Sequence, residues 1–267
     1  MTTAVVFDLD DTLIVEEAGA RASLRQAAAL VPGVEADSFA DLVLTVARRL
    51  WHSGPFHPLC RQLGISSWEG LWSTFEGNHR TVDGLRAWVP GYQVEAWTTT
   101  LAGFGIDDPP LAVQISDAYR QAQHRAHPLV AGADTLVRSL TGRCRLGLLT
   151  NGPSDIQRLK LAATGLADCF DAVVVSGEMG IGKPDPAVFG EVLGRLGAEP
   201  GAAVMVGDSW ERDIEGAVEV GMSAVWIARG RALPGPLPGV TAVDHVGAIV
   251  DLTDGVGPGT VTGGNGP

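Results

Sequence analysis

Lysine is nearly absent from this chain. Of its 19 basic side chains only Lys160 and Lys183 are lysines, the rest being arginine. Such scarcity asks what an ammonium does at those two positions that a guanidinium cannot. Lys160 reads as an exposed helix residue, whereas Lys183 stands inside a motif taken up below. Positive charge as a whole is outweighed, 19 basic against 31 acidic residues, for a formal net charge of −12. A broad acidic surface argues against nucleic acid and anionic membranes as partners. It leaves room for one local anion site built from a metal, a lysine and backbone N–H groups. Long apolar runs are missing too. None reaches about 18 residues, so no membrane-spanning helix is expected. The N-terminus lacks the basic and apolar stretches of a secretory leader and runs directly into AVVF. Cys60, Cys144 and Cys169 are too few and too widely spaced for a disulfide framework, which fits a reducing cytoplasm. The six histidines show no spacing with cysteine that suits zinc.

What is present is apolar and alternating. Hydrophobic residues make up 45% of 267 positions, enough for one large core or two small ones. Five short apolar runs read as buried parallel strands: Ala4 to Phe7, Arg145 to Leu149, Ala172 to Val175, Ala203 to Val206 and Ala224 to Ala228. Helical patterns separate the last four, over Ser154 to Thr164, Pro186 to Leu196 and Glu211 to Val220. This alternation predicts an α/β fold, a doubly wound parallel Rossmann-like sheet.

The interval between the first two strands breaks the alternation. Residues 16–128 hold no convincing strand but several amphipathic stretches: Ala18 to Leu30, Phe39 to Trp51, Val94 to Leu101 and Leu111 to Ala126. They predict an inserted α-helical domain. Residues 1–15 and 129–253 then form the α/β core, and the Gly-, Pro-, Thr- and Val-rich residues 254–267 a disordered tail. Five of the seven tryptophans fall in the insertion: Trp51, Trp68, Trp72, Trp88 and Trp97. Filling a small core is their expected task, and lining a lid over a pocket the alternative.

In an open parallel sheet, ligands bind beyond the carboxyl ends of the strands, near the switch in strand order. Asp8 and Asp10 follow the first strand, Thr150 and Asn151 the second, Asp208 the fourth, with Asp213 five residues on; Lys183 precedes the third helix. These residues should converge in space. Their motifs are DLDDT (8–12), TNG (150–152), GKPDP (182–186) and GDSWERD (207–213). In this order they resemble the haloacid dehalogenase-like (HAD) hydrolase superfamily of the phosphatase type. The resemblance covers residues 1–15 and 129–250. Over the insertion it is topological only, since the family's first cap type is a helical domain at this same position.

The resemblance implies a Mg2+-dependent phosphomonoesterase acting on a small phosphorylated metabolite, a sugar phosphate or nucleotide. Asp8 would be the nucleophile, forming an aspartyl-phosphate. Asp10 would be general acid and base. Asp8 and Asp208 would hold the metal by side chain, Asp10 by its backbone carbonyl, and Asp213 directly or through water. Thr150, Asn151 and Lys183 would bind the phosphoryl group, with Lys183 also facing Asp8. Thr12 is expected to brace the loop and Asp11 to face solvent. Ser209 stands open between assisting the metal shell and capping the next helix. Dehalogenases of the family lack the second aspartate of DLDDT, and phosphonate-cleaving members use a cap lysine that residues 16–128 do not contain, so both are disfavoured. A phosphomutase shares all four motifs and stays open. A non-catalytic binding protein of the same fold is weakened because every expected catalytic position is filled. Oligomeric state is not readable from the sequence.

Overall fold

Ala4–Phe7 (β1) is buried at every position because it lies inside a sheet covered on both faces. This is a computed structural model that describes residues 2–125, 127–235 and 237–249. Six strands run parallel in the order β3-β2-β1-β4-β5-β6, with Arg145–Thr150 as β2, Ala172–Val175 as β3, Ala203–Gly207 as β4, Ser223–Ile227 as β5 and Val240–Val243 as β6. Val5, Phe7, Leu148 and Val206 pack on one face, while Val6, Leu149, Met205 and Trp226 pack on the other. Two-sided burial explains why these strands read as continuous apolar runs. β6 escaped that reading because it is an edge strand whose residues are half-exposed or exposed.

Helices α7 (Ala133–Leu140), α8 (Ser154–Ala163), α9 (Ser176–Met179), α10 (Pro186–Leu196) and α11 (Gly216–Glu219) belong with the sheet. The one long helix expected over Glu211 to Val220 is instead a π-helical turn, Trp210–Glu215, followed by α11. The wide turn draws Asp213 back toward the strand end, where its Oδ2 accepts the Ser209 N–H at 2.9 Å. A Cβ on Gly207 would collide with that carboxylate, which is why the strand ends in glycine. Ser209 also caps the turn by accepting the Arg212 N–H at 3.4 Å.

The inserted helices α1 (Glu17–Ala27), α2 (Ala36–Ser53), α3 (His57–Leu63), α4 (Ser67–Gly70), α5 (Asp83–Gly103) and α6 (Pro109–Gln123) form a cap with a core of its own, built on Leu24, Phe39, Val43, Tyr92, Trp97 and Ile115. Trp51, Trp72 and Trp97 are buried there, whereas Trp68 and Trp88 are half-buried. Helix α5 runs through Pro90, where the sequence pattern suggested a helix only from Val94. Its buried stripe of Leu85, Val89, Tyr92, Ala96 and Trp97 outweighs a proline penalty of about 3 kcal/mol. The cap docks on α8: Asp155 accepts hydrogen bonds from Ser73 Oγ at 2.9 Å and Thr74 N at 2.7 Å.

Among the described residues no helix is long and apolar enough to cross a membrane, and none of the three cysteines forms a disulfide. The expected disordered tail, 254–267, lies outside the described residues, as does Ala126.

Candidate active site

Strand order reverses at β1 and β4, and the chemistry-bearing side chains gather at their carboxyl ends. The Asp8 N–H still bonds to Val206 O at 2.9 Å, so the ladder holds Asp8 beside the β4 end. Leu9 then turns into the core, and Asp8 and Asp10 both line one cavity. The chain bends at Asp11, whose φ of 54 lies in the left-handed region that aspartate tolerates. Asp11 was expected in solvent; its Oδ1 accepts the Glu16 N–H at 3.1 Å and so fixes the turn into the cap. Thr12 does brace the loop, by donating its hydroxyl to Asp8 Oδ2 at 3.1 Å.

Lys183 reaches the same place from the loop before α10. Its Nζ donates to Asp8 Oδ1 at 2.7 Å and lies 2.7 Å from Asp213 Oδ1. Asn151 holds that loop by its carboxamide, donating from Nδ2 to Lys183 O at 2.9 Å and accepting the Lys183 N–H at Oδ1 at 2.8 Å. Carboxylate oxygens of Asp8, Asp208 and Asp213 all lie within 4.8 Å of one another. One ammonium cannot neutralise three carboxylates. Burial pushes the Asp8 carboxyl up to about 8 despite Lys183, with Asp213, Asp208 and Asp10 adding to the effect. Burial, then Asp213, pushes Asp208 up to about 6. Asp213 Oδ1 is buried with the Lys183 ammonium as its partner. Three crowded carboxylates that share this one ammonium are hard oxygen donors that fit a small divalent cation such as Mg2+.

Thr150 and Asn151, expected to hold phosphoryl oxygens, are engaged by the scaffold. Thr150 is buried and its Oγ1 accepts from Gln157 Nε2 at 2.5 Å; Asn151 lines the cavity but spends its carboxamide on the Lys183 loop. Gly152, at φ 142, leaves room for Gln157, whose side chain a Cβ there would meet at 2.8 Å.

The residues that sequence reasoning missed surround Asp10. Gln157 Nε2 donates to Asp10 Oδ2 at 2.8 Å, and Lys160 Nζ donates to Asp10 Oδ1 at 2.9 Å. Lys160 also pairs with Glu16 Oε1 at 3.1 Å and Glu69 Oε1 at 3.0 Å. Far from being an exposed helix residue, Lys160 is 0% accessible. The buried face of α8 carries Ile156, Gln157, Lys160 and Leu161. Burial works against the Lys160 charge, but Asp10, Glu16 and Glu69 outweigh it and hold the ammonium well above its usual range. Glu16 is pushed up to about 7 by burial, Lys160 opposing. Two signals for this cluster stood in the sequence: the rarity of lysine, and the Ser66-x-x-Glu69 spacing of a capping box, which forms in the structure.

Above these groups lies a cavity of about 390 Å³, lined on the cap side by Trp51, Trp68, Arg48, His52 and Arg61. Two of the five cap tryptophans therefore do line a pocket.

A family model described as haloacid dehalogenase-like hydrolase matches residues 2–221. The chain is 36% identical over 227 residues to a phosphoserine phosphatase from Thermus thermophilus, an alignment covering 85% of this chain and 88% of that one. It is 29% identical over 263 residues to the N-acylneuraminate-9-phosphatase of Rattus norvegicus, covering 94% of each. In fold it is similar to the HAD-hydrolase YfnB from Bacillus subtilis, with a TM-score of 0.63, 20% identity, and coverage of 95% of this chain and 99% of that one.

Proposed function

The chain belongs to the haloacid dehalogenase-like hydrolase family, and from that premise we propose that it is a Mg2+-dependent phosphomonoesterase hydrolysing a small phosphorylated metabolite through a phosphoryl group carried on Asp8. One observation carries the reading: Lys183 Nζ stands 2.7 Å from both Asp8 and Asp213, with Asp208 beside them, on the wall of a cavity that Asp10 also lines. The full-length similarity to two proteins named as phosphatases of small metabolites supports it.

Asp8, Asp208 and Asp213 are the side chains to hold the cation, which when bound supplies charge neutralisation to an anionic phosphoryl group. The remaining steps fall to the chain itself. Thr12 and Lys183 hold the Asp8 carboxylate from two sides, so one oxygen is presented in line to phosphorus. As the Asp8–phosphorus bond forms and the ester phosphorus–oxygen bond breaks, Asp10 gives its proton to the departing alkoxide. Asp10 then takes a proton from water, whose oxygen attacks phosphorus and frees Asp8 and inorganic phosphate. Gln157 and Lys160 hold Asp10 in place for both transfers. Lys183 neutralises charge on the phosphoryl oxygens, while Thr150 and Asn151 frame it. The cap, seated on Asp155, limits access of bulk water.

The test is release of phosphate from p-nitrophenyl phosphate, lost in chelator and restored by Mg2+. Asp8→Asn should lower turnover by at least ~10³-fold with cooperative unfolding intact. Turnover that survives Asp8→Asn, or no turnover of any phosphate ester, would sink the proposal.

A further inference from the structure

The cavity has a cationic wall that the hydrolytic steps leave unused. Arg48 comes from α2, Arg61 from α3 and Arg212 from the π-helical turn, and all three line the cavity with His52 and His57. The two imidazoles stand with ring centroids 4.6 Å apart. Many other arginines of this acidic chain are paired with carboxylates, among them Arg21 with Asp41 at 2.7 Å, Arg158 with Glu178 at 2.8 Å and Arg195 with Glu191 at 2.8 Å. Among the described residues no carboxylate lies within 4.0 Å of Arg48, Arg61 or Arg212. Arg49, Arg80, Arg125 and Arg231 have no carboxylate within 4.0 Å either, but they do not line the cavity; Arg48 and Arg61 are exposed and Arg212 half-buried, and all three line it.

The placement matters more than the lack of partners. The cavity's carboxylates are already committed. Asp8, Asp208 and Asp213 crowd around Lys183, and Asp10, Glu16 and Glu69 surround Lys160. The guanidiniums of the wall therefore face whatever extends from the phosphate toward the cap. Arg61 and Arg212 also share a second groove with Gln62, Lys183, Asp185 and Glu211, so a cap residue and a core residue converge on one place. A planar guanidinium offers paired N–H donors that match a carboxylate or phosphate. A neutral substrate would leave these three cations facing water; a second anion would engage them from both sides of the cleft.

Resting on the phosphomonoesterase reading, we infer that Arg48, Arg61 and Arg212 form a second anion subsite, so that the preferred substrate is a phosphomonoester carrying a further anionic group. Arg61 and Arg212, approaching from cap and core, bridge that group and tie cap closure to the presence of the right substrate.

Matched esters test this. One pair is 3-phosphoglycerate against glycerol 3-phosphate, the other fructose 1,6-bisphosphate against fructose 6-phosphate, with p-nitrophenyl phosphate as the reference ester. The wild-type protein should prefer the more anionic member of at least one pair by ~100-fold in kcat/KM, and which pair does so identifies the anion as carboxylate or phosphate. Arg48→Met with Arg61→Met should shrink that preference at least ~10-fold, mainly through KM. Arg61→Lys, which keeps the charge but loses the paired donors, should fall between them. Unfolding midpoints of the variants control for folding. Equal turnover within both pairs, or a preference unmoved by the substitutions, overturns the subsite while leaving the phosphatase reading intact. Failure to hydrolyse even p-nitrophenyl phosphate overturns both.

Discussion

The two lysines of this protein sit in clusters of like composition and unlike completion. Each ammonium is buried and faces carboxylates from distant segments: Asp8 and Asp213, with Asp208 nearby, for Lys183; Asp10, Glu16 and Glu69 for Lys160. Around Lys160, neutral donors finish the job. Gln157 serves Asp10, Trp68 Nε1 serves Glu16 at 3.2 Å, and Ser66 serves Glu69 through both N–H and hydroxyl. Around Lys183 they do so only in part: Thr12 serves Asp8 and the Ser209 N–H serves Asp213, but the cation nearest Asp208 is Arg229 at 3.9 Å. The closed cluster is a joint, linking the Asp10 loop, the start of the cap and α4. The unfinished one is a workplace, short of positive charge where a divalent ion and a phosphoryl group would supply and use it. Buried polar groups satisfied on all sides hold structure, and those left short hold ligands.

Removing each ammonium is the most direct way to break that contrast. Lys183→Met should cost at least ~10³-fold in kcat/KM, because charge neutralisation beside Asp8, the proposed nucleophile, goes with it; steady-state kinetics at saturating Mg2+ measures this. Lys160→Met should act first on stability, by about 3 kcal/mol in a urea titration, since it strands the buried Glu16 and Glu69 and the half-buried Asp10. Adding Glu16→Gln and Glu69→Gln should recover part of the loss. Equal activity and stability losses for the two lysines would erase the distinction.

A smaller effect concerns His127. It lies against Trp72 with neither ring nitrogen hydrogen-bonded. Burial, then Lys160, pushes its pKa down to about 4 from an ordinary 6.5. The fold therefore holds the neutral ring. Its contribution is complete above pH 6.5 and is lost as pH falls toward 4, because the unfolded chain binds the proton first. His127→Phe should recover about 1–2 kcal/mol near pH 4.5 relative to wild type and change little at pH 8. A wild-type and variant pair with parallel stability–pH curves would contradict it. Smallest of all, Asp8→Asn in chelator should raise stability by about 1 kcal/mol, since the unfinished cluster loses one of its repelling charges. The matching change in the closed cluster, Glu69→Gln, should lower stability instead.

Legibility followed burial and distance along the chain. Strands β1 and β3 and helix α10 stand where their apolar runs and capping residues predict them. The DLDDT, GKPDP and GDSWERD residues converge because each follows or flanks a strand of one parallel sheet. Lys160 was read as exposed because its helix face is defined by the cap that covers it, and Glu69 is 91 residues away. Pro90 misled for the same reason, its helix being held by cap packing rather than by propensity.

The sequence by itself determined five of the sheet's six strands, the cap's position and the strand-end carboxylates Asp8, Asp10, Asp208 and Asp213, because apolar periodicity and strand-end placement are local properties of the chain. Only the tertiary structure decided which lysine sits among Asp10, Glu16 and Glu69 and which opens onto the cavity, that Thr150 bonds to Gln157 and Asn151 to the Lys183 loop, and that three arginines from cap and core line one cavity. Those outcomes depend on which donors arrive from remote segments, and no local pattern records the distance between groups that meet only after folding.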